Sequence, residues 1–357
     1  MLILIDGSNL AHRALHASFS DLGYYSHIEA VPYFLKRLAG IVEYQHLLAG
    51  VVVAWDRGLP LHRRELYSEY KPDTSPLGEF DAKLFSKINK DPSLEPHRSI
   101  KGREDAVSEY HKLITLLSEI VVPKCNCISI RVTNVEADDI IAYCCYYLKD
   151  FEKQVISSDR DLLQLVDETT SVYNFSSPNP NSKLYDYDWI EQTYDEPEWF
   201  REAFLIEKAI LGDTSDNIPG IESVGDTTAK KYTNSIISHR IQGKSLEEAI
   251  LAVERPTRAS KKGFENLKEG TDIVKRNFDL MDLNLPIYKK LSLVYNIQKE
   301  FMYFLNHNID YYDALDELEM LPDFPFNKCY SQIDKIFESN CNYDMKTILE
   351  RIRDATT

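Results

Sequence analysis

The chain has 357 residues and a mass of 41.3 kDa, and 43% of its residues are hydrophobic, so it can bury a sizeable core without a partner. That composition excludes an intrinsically disordered protein, and the absence of any run of about 18 apolar residues excludes a membrane-spanning helix. The formal charge of −16 disfavours a nucleic-acid partner, but two segments are locally basic. Residues 57–103 have 10 Lys and Arg against 7 Asp and Glu, and residues 228–276 have 11 against 6.

Short apolar runs alternate with helical patterns in the first half of the chain. Residues 2–5, 50–55, 127–132 and 154–157 have the character of strands. Between them, residues 31–43, 104–121 and 138–148 carry apolar side chains at helical spacing. This alternation predicts an α/β fold with a mainly parallel central sheet flanked by helices.

The remaining chain divides into three parts. Residues 72–103 lose strand character and carry spaced cations, so we expect a helical or looped insertion. Beyond residue 200 the pattern is mostly helical, with a Pro-Gly turn at 219–220. After residue 285 the chain becomes rich in Tyr, Asn and Asp and contains no motif that predicts a role.

Acidic residues follow each of the four predicted strands. In a parallel sheet the ligand binds at the carboxyl ends of the strands, where loops and helix starts converge. Two further acids lie three residues apart in the helical half, and side chains at that spacing are neighbours on one helical face. The nine acids are Asp6, Asp56, Glu136, Asp138, Asp139, Asp159, Asp161, Asp213 and Asp216.

So many carboxylates at one edge need cations to remain ionised, because they would otherwise repel one another and take up protons. Hard oxygen ligands favour Mg²⁺ or Mn²⁺ over zinc, and two such ions can activate water and clamp a phosphate. Any one of these motifs alone is more often a helix cap or a solvated surface charge. Five such segments in order at strand ends instead favour a two-metal site for phosphodiester hydrolysis.

Candidate cations precede the predicted insertion. Lys71 is the first choice for neutralising a phosphate oxygen in the transition state, with Arg64 as a second candidate. Tyr70 could stack on an unpaired base near the cut, and Lys83 and Lys87 in the insertion could contact the strand. A solvated basic loop with a packing tyrosine is the alternative interpretation of this segment.

Residues 212–231 read as a helix, a tight glycine-containing turn and a second helix. Gly220 and Gly225 would let the backbone approach a phosphate, and Lys230 and Lys231 would extend that surface. Contacts of this kind hold a duplex backbone without reading bases, so we expect recognition of nucleic-acid structure rather than sequence.

Together these segments resemble the 5′ nuclease superfamily of flap endonucleases and 5′ to 3′ exonucleases, closest to its phage and bacterial members. The resemblance rests on IDGSN at 5–9, AWD at 54–56, EYK at 69–71, VEADD at 135–139, SSDRD at 157–161 and the segment 212–225. It implies a PIN-like nuclease core at 1–200 with a helical arch at about 72–103. It further implies a helical duplex-binding region at 201–284, with a helix-three-turn-helix at 212–231, and leaves 285–357 as an extension of unknown role.

The resemblance also implies two Mg²⁺ or Mn²⁺ ions. The acids from Asp6 to Asp139 would serve mainly one ion, and those from Asp159 to Asp216 the other. A potassium ion would lie at the helix-three-turn-helix. The sequence departs from the family pattern at Thr74, where an arginine is common, and at Ser223 and Thr227, where glycine and lysine are usual.

The function implied is a structure-specific 5′ nuclease that removes flaps or RNA primers in DNA replication or repair. Its partners would be branched or 5′-flapped DNA and RNA/DNA hybrids, with a separate polymerase or single-strand binding protein as a further candidate partner. We expect a cytoplasmic monomer, in a bacterial or phage-infected cell, with no membrane association. A PIN-type ribonuclease and a catalytically inactive branched-DNA-binding protein are the alternatives.

Overall fold

The computed structural model describes residues 1–43, 49–71, 100–176, 183–257, 259–284, 291–304, 310–340 and 345–354. A six-stranded sheet forms its centre, in the order β3-β2-β1-β4-β5-β6. The first five strands along the chain run parallel, and β6 is antiparallel to β5. The strands are β1 (Leu2–Asp6), β2 (Gly50–Trp55), β3 (Ile128–Arg131), β4 (Lys153–Ile156), β5 (Thr170–Tyr173) and β6 (Leu184–Tyr185).

The predicted α/β fold with a mainly parallel sheet is confirmed. The four predicted strands agree with β1 to β4 within one residue at each end, whereas β5 and β6 were not predicted. Both short strands lie towards one edge of the sheet, and β5 has only alternate residues buried. Their sequences therefore lack the continuous apolar run that marks a central parallel strand.

Helices cover both faces of this sheet. In the first half they are α1 (Gly7–Leu22), α2 (His27–Val42), α3 (Leu61–Leu66), α4 (Ile100–Leu116), α5 (Val122–Lys124) and α6 (Ala137–Tyr147). A π-helical turn at Leu117–Val121 joins α4 to α5, and a 3₁₀ turn at Asp161–Leu165 follows β4. Alternate residues of β1 face opposite ways, so Leu2 and Leu4 pack beneath α6 while Ile3 and Ile5 pack beneath α1 and α2.

The second half is helical, as predicted. Its helices are α7 (Tyr187–Thr193), α8 (Phe200–Leu211), α9 (Asp226–Ile241), α10 (Leu246–Ala252), α11 (Lys261–Glu269), α12 (Thr271–Met281), α13 (Leu291–Phe304), α14 (Tyr311–Glu319), α15 (Phe326–Asn340) and α16 (Met345–Asp354). Helices α8 to α12 surround a separate core that includes Ile206, Ile210, Tyr232 and Leu267. Between α8 and α9, the short strands β7 (Gly212–Asp213) and β8 (Ile218–Pro219) pair antiparallel.

The last four helices pack onto the sheet domain. Helix α13 contacts β3 and α6, and α16 packs on α13, so that Ile348 lies against Gly50. On the opposite face α15 packs against α2, and Lys328 bonds Glu29 at 2.7 Å. The segment after residue 285 therefore contributes to both hydrophobic layers of the sheet.

The predicted insertion lies almost wholly outside the described residues, which resume at Ile100 with α4. Lys83, Lys87 and Thr74 fall within it, so their predicted roles stay predictions. In the described ranges, no helix is long and apolar enough to cross a membrane.

Candidate functional site

The carboxyl ends of the strands bring their acids together. Asp6 ends β1 and caps α1, accepting a hydrogen bond from the Asn9 backbone N–H at 2.9 Å. Its other oxygen accepts from the Ser157 hydroxyl, beyond β4, at 2.8 Å. Asp56, after β2, accepts from the backbone N–H of Ala137 at 2.8 Å. These contacts join the end of β1 to the end of β4, and the end of β2 to the start of α6.

Asp138 lies at the centre of this group of acids. Burial raises its pKa well above the usual range, and the charges of Asp159, Asp6, Asp56 and Glu136 raise it further. Among the described residues, no hydrogen bond or salt bridge of Asp138 compensates this repulsion. A bound cation would relieve this repulsion at Asp138.

Lys71 links Glu136, at the start of α6, to Asp216 in the loop of the β7–β8 hairpin. Its ammonium donates to Glu136 and lies 3.6 Å from Asp216. The backbone of Lys71 has a φ of +40°, a left-handed conformation that costs a non-glycine residue energy. Two hydrogen bonds hold it there, because Lys71 N–H donates to the Asp216 carbonyl at 3.1 Å and the Asn217 amide donates to the Glu69 carbonyl at 2.9 Å.

Lys208 makes the equivalent link between the other acids. It lies on α8, and its ammonium donates to Asp161 and lies 3.3 Å from Asp213. Asp159 is held by backbone geometry instead, because its own N–H donates to Ser157 and its carboxylate accepts from the N–H of Asp161 at 2.9 Å. The acids thus form one cluster bridged by two lysines.

Arg63 binds the two acids Glu136 and Asp139 at the start of α6. Its side chain is buried and donates to both oxygens of Asp139 at 2.8 Å and to Glu136 at 2.6 Å. Its Nε also donates to the carbonyl of Leu280 at 3.1 Å, on α12. Both Asp139 oxygens are therefore satisfied within the protein.

Burial is the largest cause of a raised pKa at six of the nine carboxyls, which are Asp6, Asp56, Asp138, Asp159, Asp161 and Asp216. For Asp6, burial and then the charge of Asp56 raise the pKa to about 7. For Glu136, burial raises the pKa, but the charges of Lys71 and Arg63 outweigh it and lower the pKa to about 2. For Asp213, burial is likewise outweighed by Ser215 and Lys208, which lower the pKa. The cluster is therefore short of positive charge.

The metal-ligand prediction needs a qualification. In the part of the chain that is described, no group of three or more His, Cys, Asp or Glu side chains is arranged to hold a metal ion as it stands. The donors themselves suit Mg²⁺ or Mn²⁺, since they are carboxylate oxygens. Binding an ion would require side chains now turned towards Lys71 and Lys208 to turn inwards.

Two predicted roles do not fit the geometry. Tyr70 lines the cleft but is only 3% exposed, and its hydroxyl donates to Asp216 at 3.1 Å, so its ring is not available to a base in this arrangement. Arg64 does not reach the carboxylates, since its Nε bonds the carbonyl of Ser68 at 3.3 Å, whereas its neighbour Arg63 does. Adjacent residues point to different sides of a helix, and nothing in the sequence distinguishes the two arginines.

The hairpin between α8 and α9 lies beside the carboxylates. A Cβ at Gly220 would be 2.0 Å from the Leu211 carbonyl oxygen, so this glycine permits close packing within the hairpin rather than approach to a phosphate. Gly225 is the N-cap of α9, and a Cβ there would meet nothing within 4 Å, so its predicted approach to a phosphate stays a prediction. Ser223, which replaces a usual glycine, keeps a left-handed φ of +65°.

A cleft of about 1910 Å³ runs between the sheet domain and the helical half. Six of the predicted acids line it, as do Lys71, Lys208 and Arg13. Lys230, with Thr233 and Asn234, lines its far side from α9, whereas Lys231 is exposed elsewhere on that helix. The cleft therefore joins the carboxylates to the predicted phosphate-binding helix.

Sequence reasoning missed three cations that meet this cluster or its cleft: Arg13, Arg63 and Lys208. Lys208 offered a signal, because it interrupts an apolar helix five residues before Asp213. Arg13 lies seven residues after Asp6 on α1, which is two helical turns and hence the same face.

The family model of the 5′-3′ exonuclease N-terminal, resolvase-like domain matches residues 1–195. A 5′-3′ exonuclease of Halalkalibacterium halodurans is 30% identical over 244 residues, covering 64% of this chain and 68% of the relative. The chain belongs to the 5′-3′ exonuclease family. The predicted 5′ nuclease of the 5′ to 3′ exonuclease type is thereby confirmed.

A polymerase and a solved phage structure are also similar to this chain. A DNA polymerase I of Streptococcus pneumoniae is 29% identical over 238 residues, which cover 64% of this chain and 23% of the polymerase. The bacteriophage T5 flap endonuclease, solved as a pseudo-enzyme-product complex with DNA and metal ions, superposes with a TM-score of 0.54 at 20% identity. That likeness covers 95% of this chain and 98% of the phage protein, and it shows a shared fold.

Proposed function

We propose that this 5′ nuclease hydrolyses phosphodiester bonds with two divalent metal ions and acts on flapped or primer-bearing duplexes. The carboxylate cluster around Asp138 carries the proposal, because its raised pKa values indicate a deficit of positive charge at the end of the sheet. Eight of the nine acids are the proposed ligands. Asp139 is reassigned to holding Arg63, since its two oxygens form a bidentate pair with that buried guanidinium.

Mg²⁺ or Mn²⁺ at these carboxylates would supply a nucleophilic hydroxide and neutralise the phosphate. The protein's own residues do the positioning. Glu136, Tyr70 and Arg63 form a buried hydrogen-bonded unit that fixes the start of α6 and hence Asp138. Lys71 and Lys208 pair with the acids, and with ions held by those acids the two ammonium groups would be available to phosphate oxygens in the cleft.

The substrate assignment rests on the cleft and hairpin. Helix α9 starts beside the carboxylates and presents Lys230, so a duplex backbone held there would place a strand end over the acids. Such contacts do not read bases, which favours structure-specific cutting. A PIN-type ribonuclease needs no such hairpin, so the hairpin favours the 5′ nuclease over that alternative. We also propose that a potassium ion binds at this hairpin.

The proposed setting is the cytoplasm of a bacterial or phage-infected cell. The similarity to a segment of DNA polymerase I supports work beside a polymerase, which is one proposed partner. A single-strand binding protein is the other proposed partner, and the chain is proposed to act as a monomer.

A cleavage assay tests the proposed substrate class. The purified protein with Mg²⁺ should cut a labelled 5′-flap duplex at least about tenfold faster than a blunt duplex of the same sequence, which corresponds to about 1.4 kcal/mol of differential transition-state binding. An RNA-primed duplex belongs in the same series. Equal rates on flap and blunt DNA would contradict structure specificity, and binding without any cutting would support an inactive scaffold.

The pH dependence of the melting temperature tests whether the carboxylates of the cluster repel one another. A carboxyl whose folded pKa is raised, such as Asp6 at about 7, stabilises the fold below its unfolded pKa near 3.8 and loses that contribution as pH rises to about 7. In EDTA the melting temperature should therefore fall between pH 5 and pH 8, by roughly 2–4 °C for each kcal/mol lost. Saturating Mg²⁺ should reverse the fall, because ions bind the ionised carboxylates and the folded state.

Calorimetry in matched buffers provides the measurement. Glu136 and Asp213 act in the opposite sense, but their lowered pKa values place that effect below about pH 4.5, outside this window. A melting temperature that rises from pH 5 to pH 8 in EDTA would contradict the proposed repulsion.

A further inference from the structure

A second groove lies on the opposite side of α1 from α4. Helices α1 and α2 cover β1 and β2, and residues of α1, α2, β4 and β5 line a groove of about 1070 Å³. His12 on α1 faces Tyr110 of α4, with ring centres 5.9 Å apart, whereas the adjacent Arg13 faces the groove. The groove and the α4 side are therefore separated by α1.

The charge of this groove is opposite to that of the whole protein. Four cations line it, which are Arg13, Lys36, Arg37 and Lys183. Among the described residues that line it there is no Asp or Glu, although the chain carries a net charge of −16. Burial, and then the charge of Arg37, lower the pKa of Arg13, so the cations repel one another. Such an arrangement favours an anionic ligand.

The floor of the groove is aromatic and apolar. Tyr173 and Phe175 continue β5 along it, and Leu184 at its edge is 43% exposed. The guanidinium of Arg13 lies 5.2 Å from the centre of the Phe175 ring. The Ser176 hydroxyl is buried beside them and has no hydrogen-bond partner among the described residues. Cations around part-exposed aromatic rings are the combination that binds unpaired nucleotides.

Arg13 connects this groove to the carboxylate cleft. It lines both, and its guanidinium donates to Ser158, next to Asp159, at 2.9 Å. An acidic peptide would be attracted by the cations, but it would gain nothing from the rings or from continuity with the acids. A strand of nucleic acid would gain from all three.

We infer that the groove between α1, α2, β4 and β5 binds a single-stranded segment of the nucleic-acid substrate, on the side of the cleft away from α4. The inference rests on the proposed function and extends it with a second contact surface. Phosphates would meet Lys36, Arg37 and Lys183, and unpaired bases would stack on Tyr173 and Phe175.

Binding in EDTA tests this surface without any cutting. Without divalent ions the carboxylate cluster repels phosphate, so the affinity for a labelled oligothymidylate of about 20 nucleotides reports cationic surfaces. Lys36→Glu and Arg37→Glu should each weaken binding about fivefold to tenfold and lower the salt slope by about one. Both side chains are exposed, so folding should be unaffected.

Lys299→Glu is the matched control, because it makes the same charge change at an exposed lysine on α13, which packs on the other face of the sheet. It should change the affinity by less than about twofold. Equal losses in all three variants, or none in Lys36→Glu and Arg37→Glu, would overturn the inference. Equally tight binding of a poly-glutamate peptide would overturn it in favour of an acidic partner.

Cleavage of the 5′-flap duplex by the same variants separates the two proposals. Lys36→Glu and Arg37→Glu should raise KM for substrates with an unpaired segment and leave kcat unchanged. A wild-type protein that binds oligothymidylate through these lysine and arginine side chains but does not cut flaps would refute the substrate proposal alone. Normal flap cutting with unaltered oligothymidylate binding in both variants would refute the groove alone.

Discussion

Replacing Asp138 by asparagine should reduce cleavage by about 10³-fold while making the metal-free protein more stable. The cleavage loss follows because the carboxylate at the centre of the cluster can no longer help hold an ion, and a single preorganised electrostatic contact is worth about 10²–10³ in rate. The gain in stability follows because Asp138 is repelled by Asp159, Asp6, Asp56 and Glu136. Urea unfolding in EDTA should show an increase on the order of 1 kcal/mol at pH 8.

The combination of these two effects distinguishes a metal-site acid from an ordinary structural one. Asp188→Asn is the control, because Asp188 is exposed on α7 and should leave rate and stability within about 0.5 kcal/mol of wild type. Flap binding in EDTA should be retained or improved in Asp138→Asn, since one negative charge is lost. Full activity in this variant would remove Asp138 from the metal site.

Replacing Arg63 by methionine should cost about 3–5 kcal/mol of folding free energy. The change leaves Asp139 and Glu136 buried without their cation, and breaking a buried ion pair on one side has a cost of that size. The loss should shrink as pH falls from 7 towards 3. In the wild type the lowered pKa of Glu136 stabilises the fold above about pH 4.5, and that contribution disappears as pH approaches 2.

Urea unfolding curves at several pH values would measure this loss. Arg64→Met provides the matched control, because Arg64 lies one residue away and does not reach the buried carboxylates. The double variant Arg63→Met with Asp139→Leu should recover part of the loss, and the recovery measures the coupling between the pair. Losses of equal size in Arg63→Met and Arg64→Met would show that the buried pair is not the cause.

The sheet and the acids at its edge were predictable from local patterns. Continuous apolar runs marked β1 to β4 because central parallel strands are buried on both faces. The acids after them, such as Asp6 and Asp56, were candidates because parallel strands end at the same edge. The short strand β5 has exposed alternate residues, and no run marked it.

The roles of the aromatic and basic side chains before the insertion were less predictable. Tyr70 was expected to meet a base, yet packing against Arg63, Lys71 and Asp216 buries it. Helices α13 and α16 showed amphipathic spacing at most, and only their docking on β3 and α6 reveals that they complete the core. Propensity and periodicity do not say which surface an apolar stripe will cover.

Local sequence alone therefore predicted a parallel sheet with acidic residues at the carboxyl ends of its strands. Apolar runs along the chain mark the buried strands, and the residues that follow each run lie at its carboxyl end. Tertiary structure decided which cation neutralises which acid and which surfaces remain positive. Arg63 pairs with Asp139 at a separation of 76 residues, and Lys208 pairs with Asp161 at a separation of 47. Electrostatic energy depends on distance and burial in space, and both are settled only when the sheet, α3 and α8 have packed together.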